Sequence, residues 1–341
     1  MSLGTTVLLV VCVLVALGFD FTNGFHDTAN AVATTVGTRA MSPRAAVGLS
    51  AALNLVGAVV ATQLLHTKVA NTVGGLVKPP GGVSVGMVIA ALVAAIIWNL
   101  LTWRAGLPSS SSHALIGGLI GMGIGGYGLT VVKFGKLGPV VIGLLTSPII
   151  GLVAAYVLML VLLNVLRRML PSSANRRFRR LQVLSAIFVS FSHGANDAQK
   201  TMAIITLALL STGHLAPGKH GGFPDIPFWV VLVAAAAIGL GTYAGGWRII
   251  RTMGTRIIRL EPIDGFSAQT MAAVVIAGAT QLGLPVSTTH VVTGAVMGAG
   301  SSRRPGAVRW GIARNILVAW VLTIPATMII AGGLALAIRF L

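Results

Sequence analysis

Residues 106–117 read GLPSSSSHALIG, and residues 283–294 read GLPVSTTHVVTG. Both stretches begin with Gly-Leu-Pro, continue with hydroxyl side chains and then reach a histidine, so that His290 follows His113 by 177 positions. Two copies of so specific a pattern predict that the chain arose by duplication of one structural unit.

A second pair of related stretches supports the duplication. Residues 21–36 read FTNGFHDTANAVATTV, and residues 191–203 read FSHGANDAQKTMA. Asp197 follows Asp27 by 170 positions, so the two halves differ by one small change in length. Each aspartate lies in an otherwise apolar stretch, where a charge without partners would cost several kcal/mol. The repetition of so costly a residue predicts a pathway for an ion or a substrate.

The composition is that of a polytopic membrane protein. Hydrophobic residues make up 55% of the chain and charged residues 9%, with a mean hydropathy of +0.91. A water-soluble globule is not built from this mixture. Ten apolar segments approach the roughly 20 residues that cross a bilayer. They lie at about 3–36, 43–65, 83–104, 107–126, 137–166, 182–210, 227–247, 266–282, 284–300 and 307–340.

Each half contains five of these segments, and several are long or rich in glycine and proline, which favours broken or re-entrant helices. If the two segments around each Gly-Leu-Pro stretch form a re-entrant hairpin, each half has three full crossings instead of five. Either number is odd, so the second half is predicted to lie upside down relative to the first. The predicted fold is an all-α membrane protein of two inverted-topology repeats with re-entrant helical hairpins and broken helices. Its predicted parts are a first repeat at 1–166, a basic cytoplasmic connector at 167–181 and a second repeat at 182–341.

The net charge of +18 is concentrated in loops. By the positive-inside rule, three arginine-rich loops face the cytoplasm. They contain Arg167, Arg168, Arg176, Arg177, Arg179 and Arg180; Arg248, Arg251, Arg256 and Arg259; and Arg303, Arg304 and Arg309. Both termini are then predicted to lie outside a multi-pass protein of the cell membrane. This distribution favours contact with anionic membrane lipid and no nucleic-acid partner.

The Gly-Leu-Pro stretches have the chemistry of an anion-binding helix terminus. Proline fits the first turn of a helix, and the hydroxyl residues that follow stand beside backbone amides without helical partners. Such a terminus also carries the positive end of the helix dipole, so it can hold an oxyanion without an arginine. Two tips facing each other would surround a tetrahedral oxyanion with donors, whereas ordinary N-capping and helix packing are the alternative interpretation. The predicted donors are Ser110, Ser111, Ser112, Ser287, Thr288 and Thr289.

His113 and His290 follow these hydroxyls within one turn. Each imidazole could donate to the anion, carry a proton, or bond a neighbouring carbonyl. We group both with the predicted anion-binding residues.

The aspartate stretches offer oxygen ligands for a cation. On a helix, Asn23, Asp27 and Asn30 share one face, and this is the chemistry that a hard monovalent cation or a proton requires. The second copy presents His193, Asn196, Asp197 and Lys200 on the corresponding face. Lys200 stands where Asn30 stands in the first copy, so the two sites are not equivalent. Aspartates that only cap a broken helix are the alternative interpretation.

These stretches resemble those of a known family, the inorganic phosphate transporters of the phosphate permease type, over the whole chain. The family's Gly-x-Asn-Asp stretch stands here at residues 194–197 and, with His26 in place of the asparagine, at residues 24–27. Its Pro-x-Ser-x-x-His tips stand at residues 108–113 and 285–290. The resemblance implies low-affinity, cation-coupled import of inorganic phosphate by alternating access, with the hairpin tips and the aspartate helices forming one central site.

On this basis we assign the site residues by role. The predicted phosphate-binding residues are Ser110, Ser111, Ser112, His113, Ser287, Thr288, Thr289, His290 and Lys200, and Lys200 offsets substrate charge. The predicted residues for the coupling cation or proton are Asn23, Asp27, Asn30, Asn196 and Asp197. Some sodium-coupled relatives carry glutamates at positions that here look like Asn54 and Gln269, so we favour a proton. Sodium at Asp27, Asn30, Asn196 and Asp197 is the alternative.

Other functions fit the residues less well. The nearest alternative is a symporter of sulfate or another tetrahedral oxyanion. A channel is disfavoured because no segment has a polar stripe along its whole length, and an enzyme because Ser112 and His113 are adjacent on a helix and do not face each other. We expect no cofactor. A divalent metal carried together with phosphate, and a homodimer, are further hypotheses.

Overall fold

The computed structural model describes residues 3–64, 67–77, 82–218 and 223–340, and within them the fold is all α-helical with no β-strand. The first half contributes six α-helices: α1 (Leu3–Gly37), α2 (Pro43–Leu64), α3 (Lys68–Gly74), α4 (Val85–Ala105), α5 (Ser111–Tyr127) and α6 (Phe134–Val165). The second half contributes six more in the same order: α7 (Pro171–Ser211), α8 (Phe228–Ala244), α9 (Trp247–Arg251), α10 (Pro262–Gln281), α11 (Thr288–Ser301) and α12 (Trp310–Phe340). The sequence repeat is therefore a structural repeat.

The chain is a membrane protein. Within the described residues, five helices are long and apolar enough to cross a membrane: α1, α2, α4, α6 and α12. Helix α8 and the segment Trp247–Arg256 pass the same test together, and they are bent by 59° at the break between them. The segment after that break is α9 followed by a π-helical turn at Thr252–Arg256, so a broken helix is present, as predicted. Helix α7 begins at Pro171, so most of the predicted connector is helical rather than a loop.

The two halves interlock. Helix α2 packs on α7 and α8 packs on α1, so the second helix of each half lies against the first helix of the other. In the same way α5 packs on α12 and α11 packs on α6. Glycine permits the last of these contacts, because a Cβ atom at Gly294 would overlap the carbonyl oxygen of Pro148. Each contact occurs twice with the halves exchanged, which is the pseudo-twofold relationship expected of a duplicated chain.

Helices α4 and α5 form one hairpin, and α10 and α11 form another. At the open end of the first hairpin, the Ser84 amide donates to the Tyr127 hydroxyl at 2.6 Å. At the open end of the second, Arg303 lies 2.8 Å from Glu261 and 3.2 Å from Asp264. The hydrogen bond from Arg303 lowers the pKa of the Glu261 carboxyl. Both helices of each hairpin therefore enter and leave on the same side of the molecule.

The two hairpins enter from opposite sides. The Arg309 amide, just before α12, donates to the carbonyl oxygen of Ile257, which precedes the second hairpin. At the other end of α12, the Ile338 side chain lies 3.6 Å from the position of a Cβ atom at Gly86, which begins the first hairpin. A helix of 31 residues is about 46 Å long at 1.5 Å per residue. The open ends therefore lie at opposite ends of this helix, which is the inverted-topology arrangement predicted from the sequence.

Candidate functional site

Each hairpin turns at its Gly-Leu-Pro stretch. Gly106 and Gly283 have φ of +67° and +71°, a left-handed conformation that glycine adopts without steric cost. The side-chain oxygens of Ser110 and Ser287 then accept the backbone amide three residues ahead, at 3.1 Å in both hairpins. These two hydroxyls are N-caps of α5 and α11, and both tips are therefore capped helix N-termini.

The two tips contact each other in the interior, where the side chains of all six predicted tip donors are buried. The Ser112 hydroxyl donates to the carbonyl oxygen of Val286 at 3.1 Å, which joins the start of α5 to the turn before α11. From α1, the Asn30 amide donates to Thr288 at 3.2 Å and to Thr289 at 3.0 Å. Helix α1, which carries Asp27, therefore contacts the tip of the second hairpin.

Asp27 lies where α1 passes the tips. Its carboxylate accepts from Thr289 at 3.2 Å and from Thr288 and Ser111, each at 3.4 Å. His26 Nδ1 lies 2.8 Å from the same carboxylate. Hydroxyls from both halves thus converge on one acceptor. Contacts of 3.4 Å are long for hydrogen bonds between oxygens, so Thr288 and Ser111 bind the carboxylate weakly.

Asp197 on α7 is the corresponding carboxylate of the second half. Lys200 Nζ lies 2.5 Å from Asp197 Oδ1 and 2.5 Å from the Ser112 hydroxyl. His193 Nε2 lies 3.4 Å from Asp197 and 3.9 Å from Asp27, so its imidazole stands between the two aspartates. One ligand atom from each of these three residues lies within 4.8 Å of the others, a spacing that would suit a shared metal ion.

The two remaining predicted cation ligands do not join this cluster. Asn196 donates instead to the Thr280 hydroxyl at 2.9 Å. Asn23 is buried on α1 beside Asp20, which also lies next to Thr201. Asn196 also donates to the carbonyl oxygen of Leu284, in the turn of the second tip, at 3.4 Å. The structure thus brings Asp27, Asn30, Asn196 and Asp197 to the tips and leaves Asn23 away from them.

The rings of His113 and His290 stack on each other with centroids 4.4 Å apart. His290 also stacks on Trp320 of α12, with a centroid distance of 3.7 Å, and the Trp320 indole N–H donates to the carbonyl oxygen of Pro108 at 2.9 Å. Both imidazoles line a mainly apolar cavity of about 550 Å³ whose other walls come from α6, α11 and α12. Ring stacking, rather than a bond to a tip hydroxyl, is the contact that these imidazoles make.

A short helix of the first half holds the tip of the second hairpin. The Thr72 hydroxyl of α3 donates to the carbonyl oxygen of Gly283 at 2.8 Å. The Lys68 ammonium donates to the carbonyl oxygen of Gln281 at 3.0 Å, near the end of α10. We call Lys68 and Thr72 the first clasp.

The second half repeats this arrangement on the first hairpin. The Thr252 hydroxyl donates to the carbonyl oxygen of Gly106 at 2.8 Å. The Arg248 guanidinium donates to the carbonyl oxygen of Arg104 at 2.6 Å, near the end of α4. Arg248 and Thr252 form the second clasp, and each clasp therefore joins one half of the chain to the hairpin tip of the other.

Several residues that support the site are not identified by the sequence patterns. The Thr102 hydroxyl lies 3.1 Å from His26 Nε2, just as Thr280 binds Asn196 in the second half. Thr280 follows Thr102 by 178 positions, one more than the offset of the hairpins, so the repeat pairs Thr102 with Ala279 and does not mark these two threonines. Trp320 has no tryptophan counterpart in the first half, and only the packing of α12 on α5 brings it to the tips.

Comparison with known proteins gives consistent results. The chain matches the phosphate transporter family over residues 23–171 and 166–331. It is 47% identical over 325 residues to a probable low-affinity inorganic phosphate transporter of Rhizobium meliloti, covering 95% of each chain. It is 43% identical over 320 residues to a protein of the same description from Bacillus subtilis, covering 94% of this chain and 93% of the other. A solved structure, "The sodium-dependent phosphate transporter", shares the fold with a TM-score of 0.87 at 24% identity, covering 98% of this chain and all of that one.

Proposed function

The chain belongs to the phosphate transporter family, and we propose that it imports inorganic phosphate by cation-coupled symport with alternating access. It is accordingly a transporter and not an enzyme. The observation that carries the proposal is the convergence of two capped helix tips, one from each half, on Asp27. Tip amides and hydroxyls of residues 110–112 and 287–289 bind the oxyanion, and the stacked imidazoles of His113 and His290 hold the tips at a fixed separation.

Asp27 favours phosphate over sulfate. Phosphate can retain a proton near neutral pH, so one of its oxygens can donate to the carboxylate, whereas fully ionised sulfate would be repelled by it. Uptake of radiolabelled phosphate into proteoliposomes, with unlabelled sulfate as competitor, tests the substrate. We expect saturable, concentrative uptake that excess sulfate does not reduce. Inhibition by sulfate as strong as that by unlabelled phosphate would favour the oxyanion alternative.

A coupling cation lowers the charge that must cross the apolar barrier together with the anion. At the tips, helices α1 and α7 bury two carboxylates, Asp27 and Asp197, against one ammonium, Lys200. The site therefore has more carboxylates than fixed cations. The negative charge that phosphate adds requires compensation by a mobile cation. This excess of carboxylates is the physical reason for symport.

We favour a proton as the coupling cation. Asp27, His193 and Asp197 are neighbouring titratable groups, with His193 Nε2 3.4 Å from Asp197 and 3.9 Å from Asp27. An imidazole beside two carboxylates can relay a proton once these contacts shorten to hydrogen bonds. The same three groups would also accept a divalent metal, which supports transport of phosphate as a neutral metal complex.

The positions at which some sodium-coupled relatives carry glutamates support the same choice. Asn54 and Gln269 are both buried. The Asn54 side-chain oxygen lies 3.1 Å from His193 Nδ1, and the Gln269 oxygen accepts from Ser185 at 3.1 Å. Neither amide offers a charge to sodium, and each side-chain oxygen already has one hydrogen-bonding neighbour. Sodium at Asp27, Asn30, Asn196 and Asp197 is the alternative, and the sodium dependence of the structurally similar transporter supports it.

The two clasps are suited to alternating access. They hold opposite tips, and the inverted repeat places them towards opposite sides of the membrane. Release of one clasp at a time would free one tip while the other stays fixed. From the positive-inside rule we propose that the second clasp lies towards the cytoplasm and that both termini lie outside. Residues 1–166 and 182–341 are the proposed repeats, and 167–181 is the proposed cytoplasmic connector.

A further inference from the structure

The two halves differ at two buried positions of the aspartate helices. With the offset of 170 residues that relates the aspartate stretches, Lys200 stands where the first half has Asn30, and Ser190 stands where it has Asp20. All four side chains are buried. The first half therefore has an additional carboxylate and the second half an ammonium, although the surrounding helices and tips are repeated.

The Lys200 ammonium is surrounded by the kinds of ligand that a hard cation takes. Nζ lies 2.5 Å from the Asp197 carboxylate, 2.5 Å from the Ser112 hydroxyl and 3.4 Å from the carbonyl oxygen of Val286. Only 1% of the lysine surface is exposed. A carboxylate, a hydroxyl and a main-chain carbonyl are all oxygen ligands for such an ion.

The corresponding place in the first half is formed by the other tip. There Thr289, the equivalent of Ser112, donates to Asp27 at 3.2 Å, and Asn30, the equivalent of Lys200, donates to the same hydroxyl at 3.0 Å. In the part of the chain that the structure describes, the ion-pair partners of Asp27 are histidines, and no lysine or arginine reaches it. Asp197 has a fixed cation supplied by the chain, and Asp27 does not.

We propose that Lys200 is a tethered counter-cation. Its ammonium takes, beside Asp197, the place that a mobile coupling cation takes beside Asp27, so one of two symmetry-related cation sites is permanently filled by the chain. Phosphate is then transported together with a mobile cation bound at the one remaining site, which is in the first half. The inference rests on the proposed cation-coupled symport and adds which half binds the mobile cation.

Chemical rescue tests this role directly, because the atoms that Lys200→Ala removes are those of n-propylammonium. Exchange of radiolabelled phosphate into proteoliposomes with identical solutions on both sides needs no ion gradient, so an added amine cannot act by dissipating one. We expect Lys200→Ala to slow exchange by more than about tenfold, because it leaves a buried carboxylate unpaired. n-Propylammonium should restore exchange in a saturable manner, and neutral n-propanol should not.

A second variant restores the residue of the first half. In Lys200→Asn, the place of the ammonium is open to a small ion. Phosphate exchange by this variant should therefore depend saturably on sodium or lithium. Exchange by the wild-type protein should need no ion at this position. Ser112→Ala is the matched control, because it removes a ligand of the ammonium but keeps the lysine. n-Propylammonium should not rescue that control.

Wild-type exchange rates in Lys200→Ala would overturn the proposal. So would a folded Lys200→Ala protein that n-propylammonium does not restore, or a Lys200→Asn protein indifferent to sodium and lithium. If neither lysine variant can be recovered folded with or without n-propylammonium, Lys200 is a structural ion-pair partner and the proposal is wrong. Absence of phosphate exchange by the wild-type protein would instead contradict the transport function itself.

Discussion

His113 and His290 stack with ring centroids 4.4 Å apart, although they lie in different halves of the chain. Each ring lies within one turn of the tip of its own hairpin, so the stack fixes the distance between the two tips. Trp320 extends the stack from α12, with a centroid 3.7 Å from that of His290. These contacts indicate a packing role for the two imidazoles, which the sequence pattern grouped with the anion-binding residues.

Phenylalanine substitutions distinguish packing from anion binding, because phenylalanine keeps an aromatic ring but removes both ring nitrogens. We expect His113→Phe and His290→Phe to keep the apparent Michaelis constant for phosphate within about twofold, since stacking is retained. His290→Ala, which loses a stack worth about 0.5–1.5 kcal/mol, should lower the thermal unfolding temperature. If the phenylalanine variants instead raise the Michaelis constant about tenfold, as loss of a hydrogen bond to a charged group would, the nitrogens bind the anion.

The tip hydroxyls that contact Asp27 should contribute to phosphate affinity. Ser111 and Thr288 each donate to this carboxylate at 3.4 Å, and they are placed to donate to a bound oxyanion. Losing one hydrogen bond to a charged group costs roughly 1.5–3 kcal/mol, or about tenfold or more in affinity. Ser111→Ala and Thr288→Ala should therefore raise the Michaelis constant of uptake by at least that factor.

A hydroxyl at the far end of the same helix provides the control for this experiment. Ser301 ends α11 and donates only to the carbonyl oxygen of Gly298 within its own helix, so Ser301→Ala should leave affinity unchanged. Unchanged affinity in both Ser111→Ala and Thr288→Ala would show that the tips do not bind the anion.

Much of this architecture follows from the repeated residues. The offsets between related stretches predicted two equivalent halves, and the odd number of segments predicted their inversion; both features are present. The hydroxyl residues correctly predicted helix N-termini at the tips, but Pro108 and Pro285 lie before the N-caps and not in the first helical turn. The partners across the halves could not be predicted, because the contact of Asp27 with Thr289 depends on how α1 crosses the opposite hairpin. The stacking of Trp320 on His290 could not be predicted either, because no repeat or motif in the sequence marks Trp320.

The clasps should control the two tips independently. Thr252 holds the first tip and Thr72 holds the second, each by one hydrogen bond of 2.8 Å. A hydrogen bond contributes about 0.5–1.5 kcal/mol, so Thr252→Val should increase opening of the first tip by about two- to tenfold. Maleimide labelling of a cysteine at Ser109 should accelerate by this factor, whereas labelling at Val286, the equivalent position of the second tip, should not change.

Thr72→Val provides the mirror-image experiment, in which the cysteine at Val286 should react faster and the one at Ser109 should not. Both positions are buried when the clasps are closed. Equal acceleration at the two cysteines in either variant would mean that the tips open together, and the clasps would then not be separate gates.

The proposed orientation places basic residues on opposite sides of the membrane. Lys133 and Arg256 both have exposed side chains, and the positive-inside rule assigns Arg256 to the cytoplasm and Lys133 to the outside. In a Cys12→Ala background, an impermeant maleimide added to intact cells should label Lys133→Cys and leave Arg256→Cys unlabelled until the membrane is opened. The reverse pattern would place both termini inside, and labelling of both cysteines in intact cells would contradict the topology.

The coupling ion determines how the carboxylates are used. A proton needs only titratable groups, and the series Asp27, His193, Asp197 supplies them within 3.9 Å steps. Sodium needs several fixed oxygen ligands, yet the ammonium of Lys200 already occupies the oxygens beside Asp197. We therefore expect an inside-alkaline pH gradient without sodium to drive phosphate accumulation in proteoliposomes, and a sodium gradient at constant pH to drive none.

The relay residue provides a specific control for proton coupling. His193→Gln keeps a polar side chain of similar reach but cannot carry a proton, so it should abolish accumulation driven by the pH gradient while phosphate exchange between identical solutions continues. A protonophore should have the same effect on the wild-type protein. Accumulation driven by sodium at constant pH, with none from the pH gradient and no loss in His193→Gln, would reverse the assignment. Asp27, Asn30, Asn196 and Asp197 would then be candidate sodium ligands, and the fixed charge of Lys200 would limit sodium to the Asp27 side.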